Sequence, residues 1–276
     1  MNLADTLTAA GLTPPANLTP GRWLRFPGIG KGRSNRAGWC RLISPTFALY
    51  GDFASGLSAS WRDDCHRDDA EFRQILEAAR VRERAFAAQQ LERQARAARI
   101  AQQLLEEATE KPHPYLRRKG FDTGLVHGEH LVVPVRDAAD GRLLSVQQID
   151  PAGEKQFLPG GRVRGGVYRL GLGRKTLLCE GYATGLSLYA AARRLYAATV
   201  IVCFNAGNLE VIAPRFAGAL VCADNDPPNP RTGAKAGESA ALRTGLEWVM
   251  PPDVGEDFND LHCRAGLHAV VEMLRG

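Results

Sequence analysis

Three short apolar runs in the C-terminal third of the chain share one pattern. They cover residues 176–179, 198–203 and 219–222, and each ends in a cysteine. An alanine- and leucine-rich segment with helical spacing, 184–195, lies between the first two. Apolar runs that alternate with helices are typical of parallel strands buried on both faces. The pattern therefore predicts an α/β fold with a short parallel sheet.

Acidic residues follow two of these runs. Glu180 comes directly after the first run, and Asp224 and Asp226 follow the third. Because the carboxyl ends of parallel strands meet at one edge of a sheet, we expect these side chains to lie together. Three carboxylates repel one another unless a cation lies among them. The sequence predicts a metal site at this edge.

The rest of the C-terminal region continues the alternation. Residues 204–208 form a small-residue turn, either an ordinary strand-to-helix turn or one that lets a phosphate approach the backbone. Residues 225–237 are rich in proline and glycine, which predicts a loop over the site. Helices are expected at 240–248 and 261–274.

Basic, strand-like segments precede this region. The apolar runs 131–135 and 143–149 flank a turn-forming stretch, which predicts a hairpin. Upstream, residues 68–110 contain neither glycine nor proline and have helical spacing, which predicts one long helix or two with a break. We interpret this helix as a connector rather than as a DNA-facing surface.

The first 65 residues interleave aromatic and basic side chains. This mixture suits single-stranded nucleic acid, but it equally suits a small β module whose aromatic rings fill the core. A phosphate-binding loop at 28–34 is excluded because Gly32 follows Lys31 where a serine or threonine is needed. Cys40, Cys65 and His66 lack the close pairing of a zinc site.

Composition adds little to this picture. The chain has 276 residues, a formal net charge of +5 and six cysteines. The excess of positive charge is compatible with a polyanionic partner but does not require one. No apolar stretch is long enough to span a membrane, no signal peptide is evident, and no cysteines form a CxxC pair. A cytoplasmic, reducing location is the expectation.

The ordered set of acids resembles the Toprim-domain primases. It consists of Glu180-Gly181, then Asp224-Asn225-Asp226, then Asp257-Phe258-Asn259-Asp260. Residues 133–142 and 155–158 are similar to segments that precede and adjoin this core in DnaG-type bacterial primases. Residues 181–185 and 204–207 resemble the primases of plasmids and phages.

The resemblance implies a fold, an activity and roles for particular residues. The Toprim core, 175–276, would follow a small N-terminal β-rich module (1–65), a helical connector (66–112) and a basic α+β subdomain (113–174). Catalysis would fall to Glu180, Asp224, Asp226 and Asp257, and the same four with Asp260 would hold Mg²⁺ or Mn²⁺. Nucleotide and template would bind Lys155, Arg162, Arg164, Arg117, Arg118, Lys119, Asn205 and Gly207.

By the same resemblance, the enzyme would synthesise RNA primers from ribonucleoside triphosphates on single-stranded DNA, for plasmid or phage replication. A separate replicative helicase is an expected partner because no Walker motif is present, and no membrane is involved. The zinc-binding cysteine quartet common in such primases is absent, and Asn259 replaces a second acid. The arginine that those enzymes carry after the glycine pair has no clear match in 145–148.

Three alternatives remain from the residues alone. A Toprim nuclease uses the same carboxylates, but small nucleases of this type have little sequence before Glu180. A Toprim topoisomerase is disfavoured, because it needs a domain large enough to form a DNA gate and the sequence shows none. A nucleic-acid-binding module without activity is the non-enzymatic alternative.

Overall fold

The computed structural model describes residues 2–14, 17–19, 21–63 and 69–275. The chain divides into two compact units, Met1–Ala87 and Ala88–Gly276. The division into four segments expected from the sequence stays a prediction, and its first boundary, at 65/66, lies outside the described residues, as do Cys65 and His66.

The first unit contains a four-stranded antiparallel sheet with one short helix. The bounds are α1 (Leu3–Ala9), β1 (Trp23–Phe26), β2 (Gly38–Ser44), β3 (Phe47–Asp52) and β4 (Leu57–Arg62), and the strands pair in chain order. One face of the sheet forms the core, where Cys40, Leu42, Ala48 and Tyr50 pack with residues of α1.

Helix α2 (Asp69–Glu107) is unbroken over 39 residues and crosses the boundary between the units. Alanine, glutamate, glutamine and arginine dominate it, and all of these have high helix propensity. In the second unit, Ala101 packs against Val132 and Val146, so this part of the helix belongs to a core.

Ten strands of the described second unit form one sheet. The new strands are β5 (Thr109–Pro112), β6 (Thr123–His127), β7 (His130–Asp137), β8 (Leu143–Ile149), β9 (Lys155–Phe157), β10 (Gly166–Leu170), β11 (Lys175–Cys179), β12 (Ala198–Val202), β13 (Leu220–Cys222) and β14 (Trp248–Val249). The order is β14-β13-β11-β12-β10-β7-β6-β5, and β8 pairs with both β7 and β9. Strands β11 to β14 are parallel, whereas β10 joins them antiparallel to β12.

Helices cover both faces of the parallel strands. The helices of this unit are α3 (Pro114–Arg118), α4 (Tyr182–Ala192), α5 (Ala206–Ile212) with the short 3₁₀ turn Ala213–Arg215, α6 (Ala236–Thr244), α7 (Phe258–Ala265) and α8 (Leu267–Met273). Leu177 and Cys179 face α4, α7 and α8, while Leu178 faces α5 and α6. The predicted α/β fold is therefore confirmed, as are the hairpin formed by β7 and β8 and the burial of the three strand-end cysteines. The parallel strands β11 to β14 are part of a larger mixed sheet rather than a separate short one.

Two helix predictions were wrong in detail. The helix expected at 240–248 begins four residues earlier and ends at Thr244, because Gly245 adopts a left-handed conformation that terminates it. Trp248 lies in β14 instead. The single last helix is two helices, α7 and α8, which meet at Gly266 with a φ of 81°. No helix of the described residues is long and apolar enough to cross a membrane.

Candidate active site

The acids predicted from the sequence lie where the parallel strands end. Glu180 follows β11 directly, and Asp224 lies two residues beyond β13. Asp257 is the N-cap of α7. All three side chains are partly buried. The strand ends thus deliver carboxylates to one edge of the sheet, as parallel topology requires.

Electrostatics indicates that these carboxylates are close to one another. Burial raises the pKa of Asp224 to about 8, and the charges of Glu180, Asp257 and Asp226 add to this shift. Burial also raises the pKa of Glu180 to about 7, with a further contribution from Asp226. A backbone N–H at the start of α5, that of Ala206, donates to Glu180 and opposes the shift. Burial and mutual repulsion at this edge therefore favour the protonated carboxyls when no cation is bound.

The donor set fits a hard divalent cation. Asp224 Oδ1 is buried and has no hydrogen-bond partner among the described residues, so one carboxylate oxygen is free for a ligand. Carboxylate oxygens are the ligands that Mg²⁺ and Mn²⁺ prefer. Within the ranges that the structure describes, no group of three or more His, Cys, Asp or Glu side chains has the spacing of a preformed metal site. The metal-ligand roles stay predictions.

Asp226 is held by the N-terminus of α6. The backbone N–H of Gly237 donates to Asp226 Oδ2 at 2.8 Å. A Cβ atom at position 237 would lie 2.3 Å from the carbonyl oxygen of Asp224, so only glycine allows α6 to approach this closely. The loop from Asn225 to α6 therefore returns directly to the acids.

Asp257 and Asp260 are occupied by contacts within the protein. Asp257 accepts from the backbone N–H groups of Asn259 and Asp260, at 2.6 and 2.9 Å, and from the Thr184 hydroxyl at 3.0 Å. Asp260 reciprocates in a capping box and forms an ion pair with Lys119 at 3.1 Å. These acids hold α7 against α4 and the end of α3.

Lys155, at the start of β9, acts electrostatically on Asp224. Its positive charge lowers the pKa of Asp224, against the effect of burial. Lys155 and Phe157 lie on the same side of β9, because side chains two positions apart share a face. The Phe157 ring packs edge-on against Phe204, which follows β12, at 5.7 Å. This contact fixes β9 beside the acidic edge.

The other basic residues predicted to bind nucleotide or template differ in whether they already have contacts within the protein. Arg162 forms an ion pair with Asp137, so its charge is already neutralised within the protein. Arg118 donates to the carbonyl oxygen of Pro151 at 2.7 Å. Arg117 and Arg164 are exposed. Their contacts with nucleotide or template stay predictions.

Asn205 and Gly207 lie at the start of α5. Asn205 is the N-cap and accepts from the backbone N–H of Asn208 at 2.9 Å. A Cβ atom at Gly207 would meet Asn205 Oδ1 at 3.5 Å, an ordinary contact. Phe204, just before them, has a φ of 70°, which is unusual for a residue with a side chain. The turn is an ordinary helix cap in its contacts, and its role in phosphate binding stays a prediction.

Several asparagines with structural roles were not predicted. Asn208 accepts from Gly165 N and donates to the carbonyl oxygens of Gly166 and Cys203, so it ties β10 to the end of β12. Asn225 donates to the carbonyl oxygen of Pro251 and accepts from Lys235. Asn259 donates to Lys119 O and Ser187 Oγ. The hydrogen-bond partners of these asparagines are distant in sequence, so no local pattern predicts the contacts.

Comparison with known proteins assigns the C-terminal part of the chain. Residues 175–268 match the family model described as Toprim domain. No curated protein matches the chain.

Three similar solved structures are primases. The primase fragment of the bacteriophage T7 primase-helicase has 13% identity and a TM-score of 0.40, over 52% of this chain and 62% of that one. The DnaG primase catalytic domain bound to ssDNA has 18% identity and a TM-score of 0.38, over 68% and 70%. The zinc-binding and RNA polymerase domains of Aquifex aeolicus primase have 13% identity and a TM-score of 0.39, over 100% and 83%. This chain thus covers less than two thirds of the T7 fragment. From residue 175 to residue 268, the chain is therefore similar to a Toprim domain.

Proposed function

We propose that this protein is a DNA primase that joins ribonucleoside triphosphates on a single-stranded DNA template. One observation carries the proposal: the Phe157–Phe204 contact brings a lysine-bearing strand of the upstream subdomain to the acids of the Toprim domain. A nuclease needs the acids alone, whereas a polymerase must also hold an incoming triphosphate. Lys155 supplies a cation for that purpose beside Asp224.

Glu180, Asp224 and Asp226 are the proposed ligands for Mg²⁺ or Mn²⁺. Asp257, and beside it Asp260, would complete the acidic edge. When bound, a metal pair at these carboxylates supplies activation of a 3′-hydroxyl and charge stabilisation on the departing pyrophosphate.

The protein's own residues then position the reactants. Lys155 neutralises phosphate charge, and the backbone N–H groups of Ala206 and Gly237 hold Glu180 and Asp226 in place. Arg117 and Arg164 are exposed cations for the template backbone, with Arg118, Lys119 and Arg162 held by their contacts within the protein. Asn205 and Gly207 form the adjoining turn.

The partners follow from this activity. They are a single-stranded DNA template, ribonucleoside triphosphates and a separate replicative helicase. We place the protein in the cytoplasm and in the replication of a plasmid or phage, as the resemblance of 181–185 and 204–207 suggests.

Product analysis tests the proposal. The protein is incubated with end-labelled single-stranded DNA, labelled ribonucleoside triphosphates and Mg²⁺ or Mn²⁺, and the products are resolved by size. The proposal predicts short RNA products in the wild type that disappear in Glu180→Ala and Asp224→Ala.

The same gel separates the alternatives. Shortened template without new RNA would identify the activity as that of a Toprim nuclease rather than a primase. Retention of template without either product would identify a binding module. Both of these outcomes contradict the proposed primase.

A further inference from the structure

Three aromatic rings form a row on the outward face of the N-terminal sheet. Trp23 and Trp39 lie 5.0 Å apart between ring centroids at an interplanar angle of 37°. Trp39 and Phe53 follow at 5.7 Å and 35°. Trp39 is buried between its neighbours, whereas Trp23 is 52% and Phe53 59% exposed. The row therefore has two large apolar surfaces open to solvent.

The row is not part of the core of this unit. Side chains alternate along β2, so Cys40 and Leu42 face the core while Trp39 faces the opposite side. Gly51 pairs with Trp39 across β2 and β3, and a Cβ atom there would lie 2.8 Å from Trp39 Cζ2. The same Cβ atom would lie 2.1 Å from the carbonyl oxygen of Leu57, so both the neighbouring backbone and the indole require glycine at position 51.

Basic groups surround the rings. The Arg25 guanidinium lies 4.8 Å from the centre of the Phe53 ring and donates to the carbonyl oxygen of Arg36. Lys31, Arg33 and Arg36 are exposed on the adjoining loop. The Asn35 side chain braces this loop by accepting from the backbone N–H groups at both of its ends, those of Gly28 and Ala37.

The charge of this segment is almost entirely positive. Between residues 21 and 62 the sequence has seven Lys or Arg residues and one acid, Asp52. Asp52 is buried, and it accepts from the backbone N–H groups of Ile29 and Ala54. The exposed surface around the rings therefore complements a polyanion that also has flat, stackable groups.

We propose that Trp23, Trp39 and Phe53, with Arg25, form a stacking platform for single-stranded nucleic acid. Bases stack on the exposed Trp23 and Phe53 rings, and phosphates contact Arg25 and the basic loop. Stacking on aromatic side chains and phosphate contacts to arginine are the two interactions that single strands offer. Duplex DNA binds the platform weakly because its bases are already stacked. Only the assignment of the bound strand as primer template rests on the proposed function.

Binding to a labelled oligothymidylate of about 20 nucleotides tests the platform. Fluorescence anisotropy is measured with the full chain in EDTA, so that no metal-dependent binding contributes. The double variant Trp23→Ala/Phe53→Ala is expected to bind at least about tenfold more weakly. The variant Trp23→Phe/Phe53→Tyr keeps both rings and should bind within about threefold of the wild type.

Two further variants test the contribution of charge and provide a control. Arg25→Gln should reduce the slope of log Kd against log salt by about one. Leu172→Ala removes a side chain that is 88% exposed in the other unit and should leave binding unchanged. Thermal unfolding of each variant checks that the first unit remains folded, and an oligouridylate in parallel identifies whether DNA or RNA is preferred.

The outcomes are decisive in both directions. Wild-type affinity in folded Trp23→Ala/Phe53→Ala, or equal competition by duplex DNA, would overturn the platform. Ring-dependent binding in a protein that makes no primers would overturn the proposed function and leave the platform standing. Primer synthesis by a protein whose binding does not depend on the rings would overturn the platform and leave the proposed function standing.

Discussion

At the scale of single residues, the acidic edge follows from a simple pattern. Glu180 and Asp224 could be predicted because each follows an apolar run, and parallel strands end at one edge. The raised pKa of Asp224 could not be predicted, because it depends on burial and on neighbours such as Glu180 that are distant in sequence. Asp257 likewise accepts a hydrogen bond from the Thr184 hydroxyl, 73 residues upstream, which no local pattern predicts.

The raised pKa of Asp224 predicts a pH-dependent stability. A carboxyl whose pKa rises on folding, here from 3.8 to about 8, binds more protons in the folded than in the unfolded state. The free energy of unfolding of the metal-free protein should therefore fall between about pH 4 and 8. Asp224→Asn removes the part of this fall that comes from Asp224, while Glu180, whose pKa is also raised, keeps a smaller fall of its own. The variant should exceed the wild type in stability by about 1–3 kcal/mol near pH 8.5. Urea unfolding in EDTA at several pH values measures the free energy of unfolding of both proteins.

The control for this experiment lies on the opposite edge of the sheet. Glu247 is exposed and precedes β14, whereas the acids of the site follow their strands. Glu247→Gln should keep the wild-type pH dependence. The same slope in Asp224→Asn and the wild type would contradict the burial of the Asp224 carboxyl.

Two glycines at matched helix positions give a second prediction. Gly237 and Gly207 are each the second residue of their helices, α6 and α5. Gly237→Ala places a Cβ atom against the carbonyl of Asp224, so α6 must shift and release Asp226. We expect a loss of about 1–3 kcal/mol in stability and at least about tenfold in primer synthesis.

Gly207→Ala is the matched control. The new Cβ atom makes an ordinary contact, and alanine favours a helix over glycine by about 0.5–1 kcal/mol. This variant should be as stable as the wild type or slightly more so. Equal losses in the two variants, measured by thermal unfolding, would refute the steric explanation for Gly237.

At the scale of elements, long periodic segments were predictable and short ones were not. The strands β11 to β13 and helix α2 have clear apolar periodicity or composition. By contrast, β14 has two residues, too few for any pattern, so Trp248 was assigned to a helix. The break at Gly266 was missed because a single glycine in an apolar segment is compatible with a continuous helix.

Asn208 connects elements that no sequence pattern links. Its buried side chain makes three hydrogen bonds, to Gly165, Gly166 and Cys203. Asn208→Ala leaves buried backbone groups without partners and should cost about 2–4 kcal/mol. Asn205→Ala removes one part-buried hydrogen bond at the N-cap of α5 and should cost about 1 kcal/mol. Urea unfolding followed by circular dichroism compares them, and a smaller loss in Asn208→Ala than in Asn205→Ala would contradict this role.

At the scale of the whole molecule, the strands before residue 175 and the parallel strands after it share one sheet. Strand β10 makes this connection, since it pairs with β7 on one side and with β12 on the other. The sequence predicted both parts but not their union, because antiparallel pairing between distant segments leaves no local signal. For the same reason the ion pair between Arg162 and Asp137, 25 residues upstream, was not predicted, and the role of Arg162 in phosphate binding stays a prediction.

Divalent cations should stabilise the protein through the acidic edge. A ligand that binds the folded state alone raises the free energy of unfolding by about 2.7 kcal/mol at a concentration of 100 Kd. Mn²⁺ should therefore raise the Tm of the wild type near pH 8 and leave that of Asp224→Asn unchanged. A Tm of Asp224→Asn that rises as much as that of the wild type would place the cation elsewhere.

The most direct measurement is the initial rate of the first phosphodiester bond between two ribonucleotides on single-stranded DNA with Mg²⁺ or Mn²⁺. Wild type and Glu247→Gln should form the dinucleotide at equal rates. Glu180→Gln and Asp224→Asn should be slower by at least about 100-fold. Dinucleotide formation at the wild-type rate in folded Asp224→Asn, or its absence from the wild type with every template tested, would contradict the assignment of these acids to primer synthesis.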